Sequence, residues 1–311
     1  MNNQDIIKKA DIALADLSAN GGLLLPEQAD KFIRTLMDSP TILNSARVVA
    51  MNSPQRKINK IGFGSRILRA AASGVALTQA QRAKPDLSQV DLNTKEVIAE
   101  INIPYDVIED NIERGSIGGA LQQGAGGMHD TIVQLIAERA ALDLEELCLL
   151  GDVASLDPYL ALIDGFLKQS TANVVNGGAA TISKAILKAG VKAMPDKYLR
   201  NRASLRHFLS MDNETEYRDT YANRATALGD ATLQGTSPLF AYGSQVSAVP
   251  LMPAASGLFT DPLNLIFGIQ RRINIEFDKD IRSRTFIIVL TARIDAQIEE
   301  VNATVRYTNI G

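Results

Sequence analysis

One cysteine and two histidines are all the thiol and imidazole that these 311 residues carry. A structural zinc site needs four such ligands, so Cys148, His129 and His207 cannot build one. Cys148 has no partner for an intrachain disulfide. In the apolar stretch Leu147-Cys148-Leu149-Leu150 it reads as a small buried hydrophobe. His207, inside an apolar strand, reads as a core or interface residue, and His129 as a helix-start residue. A basic excess is missing as well: 32 Lys and Arg stand against 35 Asp and Glu, a formal charge of −3. A free-standing nucleic-acid-binding domain normally carries the opposite sign, so contact with nucleic acid is expected to be weak and non-specific. Met1 to Ala10 lacks an apolar signal core. No run approaches the ~20 apolar residues of a membrane helix. The chain therefore reads as one kept in a cytoplasm-like compartment, outside any membrane.

Motifs for chemistry are equally scarce. There is no G-x-x-x-x-G-K-[ST], no H-E-x-x-H and no G-x-S-x-G. Gly124-Ala125-Gly126-Gly127 precedes a helix, but His129 stands where a dinucleotide loop needs its third glycine, and no strand leads into it. A flexible joint is the better reading. Asp106, Glu109, Asp110 and Glu113 share a helical face. A divalent cation would suit them, yet a solvated helix start, where negative charge is favoured, suits them better. Glu145-Glu146 reads the same way, as a solvated face. No nucleophile, base and orienting acid can be assembled from spacing. No catalytic residue, metal site or cofactor is therefore expected.

What the chain does have is ordered amphipathic pattern. Ile7, Ala10, Leu14 and Leu17 fall at helical spacing before the stop Asn20-Gly21-Gly22; Pro26 starts a second helix bearing Phe32, Ile33, Leu36 and Met37. These two helices are too short to build a core alone. A longer helix runs roughly from His129 to Leu150, with Ile132, Ile136, Ala140 and Leu144 in one apolar row and Gly151 as its stop. Glu138, Arg139, Asp143, Glu145 and Glu146 are expected on its outer face. A further helix spans Ile182 to Met194 and ends at Pro195, followed by a strand over Leu205 to Ser210, a turn and short helix over Asn213 to Arg218, and a strand over Phe240 to Pro250. The end is β-rich: Ile273, Ile275 and Phe277 alternate, Phe286 to Leu290 is an apolar run, Ile294, Ala296 and Ile298 alternate, and Thr304 to Ile310 closes.

One stretch separates charge by sign. From Arg47 to Pro85 stand Arg47, Arg56, Lys57, Lys60, Arg66, Arg69, Arg82 and Lys84 with no acid; from Asp86 to Glu113 acids dominate, Asp91, Glu96 and Glu100 among them. Arg56 to Ile103 reads as an outgoing strand with Ile58, Ile61 and Ile67 and a returning strand with Val97, Ala99, Ile101 and Ile103. Such a ribbon is marginal in isolation and needs a surface to lie on. Its charges fit two readings: the strands pair basic to acidic within one chain, or they also pair with a neighbouring subunit. Exposed pairs contribute ~0–1 kcal/mol each, enough to set register and partner choice; apolar burial must supply most of the affinity.

The order of these parts resembles the major capsid proteins of tailed phages, whose shell fold is shared with encapsulins. The resemblance spans nearly the whole chain. It rests on Asn20 to Pro26 at the arm, Lys95 to Pro104 with Asp106 to Asn111 at the loop's return, Glu138 to Glu146 with Gly151-Asp152 at the end of the spine helix, Asp164 to Leu167, Met194 to Tyr198, Tyr242-Gly243, Val249-Pro250, Arg271 to Phe277 and Phe286 to Ile298. It implies an α+β fold: an N-terminal arm (1–50), an extended β-hairpin loop (51–104), a peripheral domain with a long spine helix (105–165), an axial domain (166–265), return strands of the peripheral domain (266–299) and a C-terminal strand (300–311). It also implies a structural, non-enzymatic protein that self-assembles through hexamers and pentamers into an icosahedral shell around double-stranded DNA. Portal and a separate scaffold protein are the expected partners, with the virion as final location and the host cytoplasm as the place of assembly. The candidate inter-subunit contacts are Arg56, Lys57, Lys60, Arg66, Arg69, Arg82, Lys84, Asp91, Glu96 and Glu100. An encapsulin-type nanocompartment shell is the alternative, and a soluble enzyme with an unmarked site the more distant one.

Overall fold

The computed structural model describes residues 42–63, 66–68, 70, 78–104, 128–222 and 238–311. The two expected arm helices, the acidic group 106–113, the glycine-rich approach and Arg69 lie outside these. A single helical turn, α1 (Ile42–Ser45), leads into β1 (Arg47–Ala50). Next come β2 (Gln55–Gly62), β3 (Asp86–Asn93) and β4 (Lys95–Pro104). The long helix α2 (Met128–Leu150) has 23 residues, about 35 Å at 1.5 Å per residue. There follow α3 (Phe166–Gln169), β5 (Val174–Ala180), α4 (Lys184–Ala193), β6 (Arg206–Leu209), α5 (Met211–Ala222), β7 (Leu239–Ala241), β8 (Ser244–Ala248) and β9 (Ser256–Thr260). Two long strands, β10 (Leu265–Asp280) and β11 (Thr285–Ile298), and then β12 (Thr304–Ile310) complete the chain.

The strands form a four-stranded sheet β1-β10-β11-β4, a six-stranded sheet β5-β12-β9-β6-β8-β7 and a separate two-stranded ribbon β2-β3. The end of α2 packs on the four-stranded sheet: Leu144, Leu147, Cys148 and Leu149 share a core with Phe166, Ala292, Ile294, Ala296 and Ile298. Gly151 closes the helix because no other residue fits. A Cβ there would meet the Ile163 carbonyl at 2.4 Å, and Gly165 donates its N–H to the Gly151 carbonyl at 2.8 Å. The six-stranded sheet carries its own core, where Leu187 and Val191 of α4 meet Val305 and Tyr307 of β12. Gly190 lets Tyr307 in: a Cβ at that position would lie 1.9 Å from the phenol oxygen. His207 is fully buried here as expected, stacked on Phe259 at 4.1 Å and 3.0 Å from the Tyr307 hydroxyl through Nδ1.

Two sequence expectations change. The returning strand Val97 to Ile103 forms, but it does not pair with the outgoing one: β4 runs antiparallel to β11, Glu96 opposite Arg293. The partner of β2 is β3, with Lys57 opposite Asp91 and Ile61 opposite Leu87. The reason is burial. Val97 and Ile103 have a core to enter, whereas β3 buries only Leu92 and its polar run hides the strand from a periodicity reading. The expected strand over Phe240 to Pro250 is a hairpin instead, β7 turning into β8 through Tyr242 and Gly243, both at positive φ. That is the two-residue geometry that matches strand twist.

Candidate assembly surface

The ribbon β2-β3 has two faces, as strand alternation requires. One face carries Ile58, Lys60, Val90 and Leu92, which are partly or fully buried; the other carries Lys57, Asn59, Ile61, Leu87, Gln89 and Asp91, all exposed. The buried face holds the ribbon's root to the body. Leu92 packs with Val49, Met51 and Ile266. Beyond Lys60 the far end has no apolar support among the described residues. Ile61 and Leu87, directly opposed, are 72% and 73% exposed, with Phe63 at 58% and Leu68 at 78% beyond them. Four large hydrophobic side chains in water at the end of a charged ribbon is a costly arrangement for a lone monomer.

The ten charged candidates divide by location. Lys57 faces Asp91 across the ribbon at 4.0 Å, with both side chains more than half exposed. Arg56 donates to the Ala50 carbonyl at 2.6 Å. Lys60 reaches the body, donating to the Glu299 carbonyl and lying 3.4 Å from the Glu300 carboxylate. Against the desolvation that burial imposes, the Asn302 amide and the Lys60 ammonium hold Glu300 below the usual carboxylate range. Glu96 is not on the ribbon: it accepts from Arg293 at 2.7 Å within the four-stranded sheet. Glu100 lies on the same strand, exposed, taking the Asn102 amide at 3.4 Å. Arg66, Arg82 and Lys84 are exposed around the ribbon's far end and form no ion pair with another described residue.

Periodicity missed two carboxylates. Glu145, expected on the solvated face of the long helix, is 1% exposed. Its Oε1 accepts the backbone N–H groups of Ile42, at 2.5 Å, and Leu43, at 3.4 Å. Asp295 on β11 is 3% exposed. Its Oδ2 accepts the Asn93 N–H at 2.7 Å and its Oδ1 that of Ala296 at 2.9 Å. Burial raises Asp295 to about 6, against the pull of the Asn93 and Ala296 amides, the Gln297 side chain and Lys95. Asp295 thus sits where the ribbon joins the body, and Glu145 where α1 does. Cys148 is a buried hydrophobe, as expected. Desolvation first, then Asp295 and Glu145, push its thiol far above the ordinary range, so it is inert as a nucleophile. Among the described residues no three potential metal ligands cluster, and no helix is long and apolar enough to cross a membrane.

Comparison with known proteins gives the family. No family model matches the chain. The prophage capsid protein YqbE of Bacillus subtilis (strain 168) is 45% identical to it over 322 residues, covering 100% of this chain and 99% of that protein. The chain belongs to the phage capsid proteins. As a capsid protein it is a structural component of the viral shell. Its fold agrees with that assignment. It is similar to the capsid of the native GTA particle (TM-score 0.65, 17% identity, 96% of this chain and 100% of that one). It is also similar to Microbacterium phage Oxtober96 (0.58, 14%, 96% and 99%) and to the procapsid of satellite phage P4 (0.55, 15%, 87% and 95%). The α+β fold expected from the sequence is thus the phage capsid fold.

Proposed function

We propose that this capsid protein assembles through hexamers and pentamers into a closed icosahedral shell around double-stranded DNA, with each β2-β3 ribbon laid over a neighbouring copy. The observation that carries this is the opposed pair Ile61 and Leu87, exposed at the end of a ribbon whose apolar packing is confined to its root. A neighbour that covers them gains roughly 25 cal/mol for each Å² of apolar surface removed from water. Around them, Arg66, Arg82 and Lys84 select an acidic partner surface. In this reading the four-stranded sheet with α2 is the peripheral domain and the six-stranded sheet the axial one. With a net charge of −3, the inner wall holds DNA through weak, non-specific contacts. Portal and a separate scaffold protein complete the partners. Assembly takes place in the host cytoplasm, the mature protein resides in the virion, and it performs no catalysis.

Negative-stain electron microscopy of the protein expressed alone and with its neighbouring genes tests this. Closed shells, tubes or capsomer rings are expected. A discrete monomer or dimer under both conditions overturns it. Shells that package an enzyme in place of DNA would restrict the proposal to the assembly step. Reversing Arg66 and Arg69 to Glu should impair assembly more than folding. An equal loss of both would confine those charges to the ribbon itself.

A further inference from the structure

We infer that Glu145 and Asp295 are positioning residues for assembly: Asp295 fixes the angle at which the β2-β3 ribbon leaves the body, and Glu145 fixes the first described turn, α1, against it. The inference rests on the proposed shell assembly, in which those two placements decide whether copies close.

Both carboxylates take backbone N–H groups. Asp295 holds the Asn93 N–H at the junction of β3 and β4, and Glu145 holds the N–H groups of Ile42 and Leu43 at the start of α1. A backbone N–H has a fixed direction, so a carboxylate that takes it sets the path of the chain rather than the pose of one side chain. Neighbouring contacts at these junctions lack that authority. Leu92 packs non-directionally, and Lys60 sits on a flexible stem. Burying ionisable groups at 1% and 3% exposure is expensive, and apolar packing of equal volume stabilises as well or better. Stability alone is thus a poor account of two such groups at two such junctions. They are also close to one another in effect, since both act on the Cys148 thiol between them in the chain. The last turns of α2 and strand β11 share one core with α1, and the root of the ribbon is held to the same strand. The groups facing Asp295 are Lys95, Gln297 and Cys148 with the Asn93 and Ala296 amides.

The test compares Asp295→Asn, Glu145→Ala and Glu145→Gln with the wild-type chain. Asn keeps the shape of Asp but can accept only one of the two N–H groups, while Gln at 145 retains the oxygen that takes Ile42. In unassembled subunits, Asp295→Asn should speed amide exchange at Asn93 tenfold or more and leave Ile42 unchanged; Glu145→Ala should do the reverse. Under conditions where wild-type protein closes uniform shells, both should give tubes, open sheets or mixed diameters, with Glu145→Gln restoring uniform shells. Variants that form uniform shells, unchanged exchange at the two amides, or failure of both Asp295→Asn and Glu145→Ala to fold would overturn the inference. Wild-type protein that makes no shell at all overturns the assembly reading instead, and the exchange measurement then judges the two carboxylates separately.

Discussion

The four-stranded sheet and the ribbon are built from the same residue types but draw their stability from different places. Strands β10 and β11 run for 16 and 14 residues, and β11 buries Ile288, Leu290, Ala292, Ile294, Ala296 and Ile298 on one face against the rest of the body. The ribbon's eight-residue strands bury a single residue, Leu92, at the root. A body of the first kind is stable by itself. A ribbon of the second kind is stable only in what it covers. The difference separates two classes of substitution: changes to the body should be read in folding, and changes to the ribbon in assembly.

The largest effect belongs to the body. Leu147 is fully buried where α2 meets the sheet. Leu147→Ala should cost about 2–5 kcal/mol and lower the melting temperature by roughly 3–8 °C at this chain length, with assembly falling only in proportion. Calorimetry of the unassembled subunit checks this. A loss of assembly without a loss of stability would blur the distinction between the two regions.

Acid should act next, through two buried groups of opposite sign. Burial holds His207 neutral and lowers it to about 3, from an ordinary 6.5. The unfolded chain then binds the proton first, so stability is complete above pH 6.5 and declines as the pH falls. Over 6.5 to 4 that is about 3 kcal/mol at 1.36 kcal/mol per unit. Asp295 behaves in reverse. Raised to about 6 from 3.8, it takes its proton in the folded state first, so its contribution is complete below 3.8 and is lost as the pH rises through 6. The two slopes nearly cancel in the wild-type chain. His207→Phe should leave Asp295 alone and make the subunit more stable at pH 4.5 than at pH 6.5. Urea midpoints across that range show the sign. A slope unchanged from wild type would remove His207 as the acid-sensitive group.

How much of this was legible in the sequence follows the same division. The long helix and its stop at Gly151, the core role of His207 and Cys148, and the late strands all came from local apolar periodicity, because the body buries whole faces. Strand β3 was hidden because only Leu92 of its eight residues is buried, and a strand with little burial has little pattern. Glu145 was misread as solvated because its partners, Ile42 and Leu43, lie more than a hundred residues away. No spacing rule reports a contact at that separation. Asp295 was overlooked inside an alternating strand for the same reason. The β7-β8 turn was missed because Tyr242 takes a positive φ usually left to Asn or Gly. The arm helices and the acidic group 106–113 lie outside the described residues.

In the ribbon, stability and assembly should come apart. Ile61→Lys combined with Leu87→Asp removes the exposed apolar pair without setting like charges opposite each other. The subunit's stability should change by no more than about 0.5 kcal/mol, as for other surface sites, while shells should disappear in the microscope. If the double variant unfolds, the pair supports the monomer and the ribbon is not the assembling region.

The smallest effect is expected at Lys57 and Asp91. They are opposed in register but 4.0 Å apart and well exposed, so a double-mutant cycle to Ala should give a coupling of ~0–1 kcal/mol in subunit stability, screened further by salt. Assembly reads the same pair differently. If these charges pair only with each other, Lys57→Asp together with Asp91→Lys restores wild-type assembly. If a neighbouring copy also reads them, the swap restores the monomer and leaves shells impaired. The swap thus separates charge that serves the ribbon from charge that serves its partner, the two readings that the charge pattern leaves open.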